Sequence, residues 1–226
     1  MRVLLTHHFP LKQSESGWLV WHWAWALAAA GDEVRLLIVD HQHQFGEPLG
    51  IERVVCGDDP NADLTFPLPR FSTATEGDHC PVFSSLSNEQ LGQYRECLRR
   101  RLDAQILQFD PHVIHAQHVW VLGQLALETG VPYLLNAWGP ELVDCRFEAR
   151  YRTLAEQAAE NASRILAVDD AAQREVAALF ESASDLTTEL PPPLRLCGPK
   201  ASEAARIAAG RQLHSLYQAV LDARFG

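Results

Sequence analysis

The apolar positions of this chain change period along its length. Val3 to Thr6 is a short apolar run that ends in polar residues and Pro10, the pattern of a buried parallel strand followed by a loop. From Gly17 to Ala30, Trp18, Trp21, Trp25 and Ala28 recur at helical spacing until Gly31 ends the pattern, which predicts a helix with that stripe as its packed face. Val34 to Val39 is a second strand, and the three elements make a βαβ unit with a right-handed crossover. Between His41 and Pro81, Gly, Pro, Asp and Asn interrupt the periodicity, leaving short strands at Ile51–Val55 and Leu64–Pro67. Ser87 and Gln90 form a capping box that opens a helix running to Phe109. Strands at Val113–Ala116, Tyr133–Asn136 and Arg164–Val168 then alternate with helices at Val119–Glu128, Glu148–Asn161 and Ala171–Phe180. This order predicts an α/β fold, a doubly wound parallel sheet with helices on both faces, over residues 1–190. Leu190-Pro-Pro-Pro is a break, and residues 191–226 read as a linker and a helix, Ala201–Arg224, packed through Ile207, Leu213, Leu216, Val220 and Leu221.

Composition narrows the function classes. The chain has 226 residues, 47% of them hydrophobic and 21% charged, as in an ordinary globular domain. A net charge of -10 argues against nucleic acid as a partner, and the densest basic run, Arg95 to Arg101, falls on the solvated face of an amphipathic helix. Five scattered cysteines without a C-x-x-C pair signal neither a disulfide framework nor zinc, and a reducing cytoplasm is expected. Neither a signal peptide nor a membrane span is expected from the opening residues or from any apolar stretch.

In an open parallel sheet, ligands bind beyond the carboxyl ends of the strands. Four strand ends carry chemistry: His7-His8-Phe9-Pro10 with Ser16-Gly17, His115-Ala-Gln-His118, Asn136-Ala-Trp138-Gly139-Pro-Glu141, and Asp169-Asp170. His7 and His8 fit a site wall or hydrogen-bonded loop residues equally well. His41 and His43 alternate like metal ligands on a strand, but no third ligand accompanies them, so no metal site is expected. No G-x-G-x-x-G follows the first strand, which leaves a dinucleotide oxidoreductase without support.

Together these segments resemble the N-terminal half of glycosyltransferase family 4, retaining GT-B enzymes that use nucleotide-sugar donors. Phe109-Asp-Pro-His-Val-Ile-His115-Ala-Gln-His118 is similar to that family's P-D-V-I-H-x-H strand end, and Gly130-Val-Pro to Gly139-Pro-Glu141-Leu is similar to its G-V-P-x-V-x-T-x-H-G-x-E/D-L. The resemblance implies a Rossmann-like half of a GT-B fold with its last helix packed back on it. It places Ser16 and Gly17 in the donor-phosphate loop, His118 or His115 beside the transferred sugar as catalytic residues, and His7, Trp18, Trp138, Gly139 and Glu141 around the acceptor. It implies a nucleotide sugar as substrate, with no cofactor and no metal. Gln117, Trp138 and Asp169 depart from the family's His, His and Ser, and the donor-binding half is missing. The E-x7-E spacings at Glu148 with Glu156 and Glu181 with Glu189 lack the Gly-rich context of that half.

Two readings follow. One is the acceptor-side half of a sugar transferase that takes its donor domain from another protein or works as a homodimer. The other is a non-catalytic module that binds carbohydrate or protein.

Overall fold

The computed structural model describes residues 1–42, 49–73 and 80–225. The apolar runs form a sheet of seven parallel strands: β1 (Arg2–His7), β2 (Glu33–Asp40), β3 (Gly50–Val55), β4 (Val113–Ala116), β5 (Tyr133–Ala137), β6 (Arg164–Ala167) and β7 (Thr187–Glu189), in the order β3-β2-β1-β4-β5-β6-β7. Register follows the buried runs, with Val3 opposite both Val34 and Val113, and Leu135 opposite Ile165. The doubly wound α/β expectation therefore holds.

Strand pleating sends alternate residues to two helical layers. Leu4, Ile114, Ala116 and Leu135 face one core, shared with α2 (Asn88–Phe109), α3 (Leu122–Thr129), α5 (Ala149–Glu160) and α6 (Asp170–Leu179). Val3, Leu5, Val113 and Leu134 face the other, shared with α1 (Glu15–Ala29), α7 (Pro192–Arg195) and α8 (Glu203–Phe225). The Ser87–Gln90 capping box is formed in full at the start of α2. Arg95, Arg99 and Arg101 of that helix pair with Glu128, with Glu96 and Asp103, and with Glu52 and Asp63, so three of the four arginines of the basic run are paired within the chain.

Helix α1 corrects the tryptophan stripe. Its buried residues are Leu19, Val20, Trp23, Ala24, Ala26 and Leu27, whereas Trp25 is 38% exposed and Trp21 lies under the Lys12 ammonium at 4.4 Å. The helix is sandwiched between the sheet and α8, so two sides are apolar and a single stripe does not find the core. A Cβ at Gly210 of α8 would collide with the Ala26 carbonyl, so the two helices meet backbone to backbone. Leu213, Tyr217 and Val220 are buried behind that contact, but Ile207 is exposed. Leu64–Pro67 forms no strand, only a bridge from Leu64 to Cys56. Helix α4 (Pro140–Phe147) stands where the sequence predicts a loop.

Candidate functional site

Strand order reverses between β1 and β4, and loops leaving neighbouring strands at such a point part to opposite faces. A cleft of about 620 Å³ opens there. Phe9 and Pro10 after β1, His118 after β4, Trp138 and Pro140 after β5, and Val168 and Asp169 after β6 all line it. The turn into α1 contributes Ser14, Glu15 and Ser16, then Leu19 one turn on, and the segment before α2 contributes Leu68, Arg70 and Phe71. His41 and Arg195 complete the rim, and His43 lies outside the described residues.

His118 is the polar group of the cleft floor. Its ring packs against His7, His8 and Phe71 at centroid distances of 5.4, 5.1 and 4.9 Å, and no hydrogen bond reaches its Nδ1. Burial, reinforced by the two neighbouring imidazoles, holds it well below the usual histidine range, so it is neutral at pH 7. His7 and His8 stand behind it. His8 donates from Nε2 to the Trp120 carbonyl (3.0 Å) and accepts at Nδ1 from the Tyr94 hydroxyl (2.7 Å). His7 lies 2.8 Å from the Phe9 carbonyl through Nδ1 and 3.0 Å from Ser16 Oγ through Nε2. His7 is not among the residues lining the cleft; it braces the connection after β1 against the first turn of α1.

His115 is turned away from the cleft. It follows the pleat of Val113 onto the α1 and α8 face, stacked on Trp23 at 5.8 Å. Its Nε2 donates to Asn136 Oδ1 (2.9 Å), leaving Nδ1 to accept from the Tyr217 hydroxyl of α8 (2.8 Å). Asn136 Nδ2 then donates to Gln117 Oε1 (3.0 Å). With both ring nitrogens engaged and no access to the cleft, His115 ties the sheet to α8 and is not a catalytic candidate.

Gly17 and Trp18 also move. The Gly17 amide donates to Ser14 Oγ (2.9 Å), the N-cap of α1, and a Cβ there would stand 2.5 Å from the Pro10 carbonyl. The glycine is demanded by the packing of its own loop, while Ser14 and Ser16 present the loop to the cleft. Gly17→Ala is expected to cost about 1–3 kcal/mol by overpacking. A melting temperature equal to the parent's would refute that origin. Trp18 stacks on His22 (5.8 Å) outside the cleft, and Leu19 takes the wall position.

Gly139 has φ of 105°, a turn that suits glycine, and it aims Trp138 into the cleft. Trp138 stacks on Trp23 at 6.2 Å. Glu141 lies behind this wall, fully buried, accepting the Trp138 amide at Oε1 (2.8 Å) while Oε2 has no partner. Burial pushes its carboxyl up to about 8, so at neutral pH it is mostly protonated and shapes the turn without touching a ligand. Asp169, where the family has Ser, caps α6 by accepting the Ala172 amide (2.8 Å).

Sequence reasoning missed Phe71, Arg70 and Arg195, which sit in or beyond stretches without periodicity. The triple proline was the one available signal: it turns the chain so that Arg195, paired with Glu189 at 2.7 Å, returns to the cleft. Among the described residues no cluster of His, Cys, Asp and Glu has a metal-binding arrangement, and no helix is long and apolar enough to cross a membrane.

Among solved structures, a chain of the sucrose-phosphate synthase of Thermosynechococcus elongatus made of segments 27–220 and 406–426 is similar, with 16% identity, a TM-score of 0.54, and coverage of 97% of this chain and 99% of that one. A fuller chain of the same synthase has a TM-score of 0.55 and 15% identity over 84% of this chain and 48% of its own length. The UDP-GlcNAc 2-epimerase of Methanocaldococcus jannaschii has a TM-score of 0.52 and 9% identity over 97% of this chain and 53% of its own. These likenesses establish one half of a GT-B fold, and the chain spans about half the length of the two longer proteins. No curated protein matches it in sequence. A model of the glycosyl transferase 4-like domain matches residues 16–192, from the α1 turn that rims the cleft to the prolines before Arg195. With a match over most of its length, and one that contains all four strand-end segments except the first, the chain belongs to the glycosyl transferase 4-like family.

Proposed function

We propose that this chain supplies the acceptor-side half of a retaining, nucleotide-sugar-dependent sugar transferase that needs a separate donor domain. The observation that carries the proposal is the convergence of the loops after β1, β4, β5 and β6 on one cleft with neutral His118 at its floor. Similarity to a two-segment synthase chain supports it, since this chain covers nearly all of that chain and about half of the fuller one. In the reaction an acceptor oxygen bonds to the anomeric carbon. The bond from that carbon to the diphosphate breaks with its electrons going to the nucleoside diphosphate, and the acceptor proton ends on that product or on solvent. His118 supplies a hydrogen-bonding group without charge. Phosphate charge is assigned in this reading to Arg70 and Arg195, which line the cleft, Arg195 also pairing with Glu189, and no metal is invoked.

The test is transfer from UDP-glucose and UDP-N-acetylglucosamine, by the chain alone and mixed with neighbouring gene products. The mixture is expected to turn over, with His118→Ala at least about tenfold slower. Absence of turnover and of nucleotide-sugar binding in every combination overturns the proposal. A second reading, a non-catalytic binding module, is favoured by Trp138 standing where the family's His stands, and a transfer activity lost in His118→Ala rules it out.

A further inference from the structure

The strand-end residues suited to hydrogen-bonding a polyhydroxylated ligand are turned inward. Asn136, Gln117 and His115 hydrogen-bond one another and Tyr217 on the α1 and α8 side of the sheet, all of them buried, with Gln117 Nε2 left without a partner. What remains at the floor is rings. Phe71 packs edge-on to Phe9 at 5.5 Å and is backed by Phe83 at 5.1 Å, so it is locked in place. Trp138 is backed by Trp23 in the same way. Leu68 extends the apolar side of the cleft, whereas the polar lining comes from the α1 turn, His41, Arg70, Asp169 and Arg195.

Among the described residues, the titratable groups at the floor carry no charge, and Arg70 and Arg195 bring charge to the cleft from its sides. Burial keeps the imidazole of His118 neutral, and Glu141 beneath Trp138 is mostly protonated at pH 7. A sugar acceptor presents several hydroxyls, each of which loses water on binding and needs a partner. At the floor, the rings, aliphatic carbons and one neutral imidazole do not supply partners in that number, but they suit a ligand whose inner end is an apolar body, with polar groups left to the sides of the cleft.

From this division we infer that the acceptor is an alcohol or phenol borne on an apolar ring or alkyl body, held by Phe71, Trp138 and Leu68 with its hydroxyl toward His118. The inference rests on the proposal that the cleft is an acceptor site, and it names that acceptor's chemical class.

The experiment titrates the intact chain with 4-methylumbelliferone and, in parallel, with methyl α-D-glucopyranoside, reading tryptophan fluorescence and ligand NMR. The aryl probe is expected to bind at least tenfold more tightly than the glucoside. Leu68→Ser should weaken aryl binding severalfold, and Trp138→His, which restores the family's residue, should narrow the gap between the probes. Melting temperatures distinguish lost contacts from lost fold, and two positions on separate segments guard against one variant failing to fold. Equal or tighter binding of the glucoside overturns the inference, as does aryl binding that neither variant alters. Nucleotide-sugar binding and turnover by the chain mixed with neighbouring gene products, measured separately, test the transferase reading: if every combination fails while the aryl probe binds through Leu68 and Trp138, the transferase proposal falls and the apolar site stands.

Discussion

Deleting residues 203–226 is expected to abolish cooperative folding. Helix α8 reaches the strand-end motifs through Tyr217 on His115, and Ala209, Leu213 and Tyr217 are fully buried and Val220 nearly so, in the same core as Trp23 and Leu27 of α1. Full burial of a large apolar side chain stabilises by about 1.5–3 kcal/mol, so the three largest together contribute roughly 5 kcal/mol or more. That is comparable with the entire stability of a typical domain, about 5–15 kcal/mol. The deletion also removes the Tyr217 hydroxyl from His115 Nδ1, leaving a formerly satisfied acceptor to find water in a core site. Circular dichroism on heating should show no sharp transition, and the truncated chain should bind a hydrophobic dye. A truncated protein melting cooperatively within about 5 °C of the intact chain, a shift of only one or two kcal/mol for this size, would show that α8 is an accessory.

The importance of α8 was half legible in the sequence, and the reason generalises to the site. Periodicity locates elements, and it located β1, β2, β4, β5, β6, α2 and α8 to within a few residues because each buries a simple run or face. It does not report which of two helical layers a residue of a central strand faces, since both faces of such a strand are apolar. His115 and His118 are therefore equivalent in the sequence, although the pleat commits His115 to Tyr217 and the loop commits His118 to the cleft. Trp23 was passed over for Trp25 for the related reason that α1 has two packed sides. Short polar β7 at the sheet edge and α4, which follows Gly139-Pro140 and ends at Glu148, the N-cap of α5, gave no periodic signal. Phe71 and Arg70 enter the cleft from a segment held by long-range contacts, a backbone bridge from Arg70 to Val82 and Ser72 on buried Asp144.

Acidification from pH 7 to pH 5 is expected to unfold the protein. His7, His8, His115 and His118 are buried, and desolvation lowers the first three to about 4, 3 and 4 and the fourth well below its ordinary value. In the unfolded chain they titrate near 6.5. Below that pH the unfolded state binds more protons than the native state. The stability these residues contribute is therefore present above about 6.5 and is lost as pH falls toward 4. Glu141 works in the opposite sense, because its native value of about 8 exceeds the ordinary carboxylate value. The native state holds its proton longer, and stability falls as pH rises from about 4.5 to 8. Near pH 5.5, almost four protons taken up by the histidines outweigh one released by Glu141, for a net uptake of about three on unfolding. At 1.36 kcal/mol per proton per pH unit the slope is about 4 kcal/mol per unit, enough to consume a typical domain's stability between about pH 6.5 and 5. Near pH 7 the residual histidine uptake and the Glu141 release nearly cancel, which places the optimum there. Melting temperatures from pH 4.5 to 9 should give a steep acid limb and a shallow alkaline one. Glu141→Gln should flatten the alkaline limb and leave the acid limb standing. A melting temperature that stays level from pH 7 to 5 would mean that the imidazoles around His118 are hydrated and chargeable, and the neutral floor on which the acceptor class depends would be lost with them.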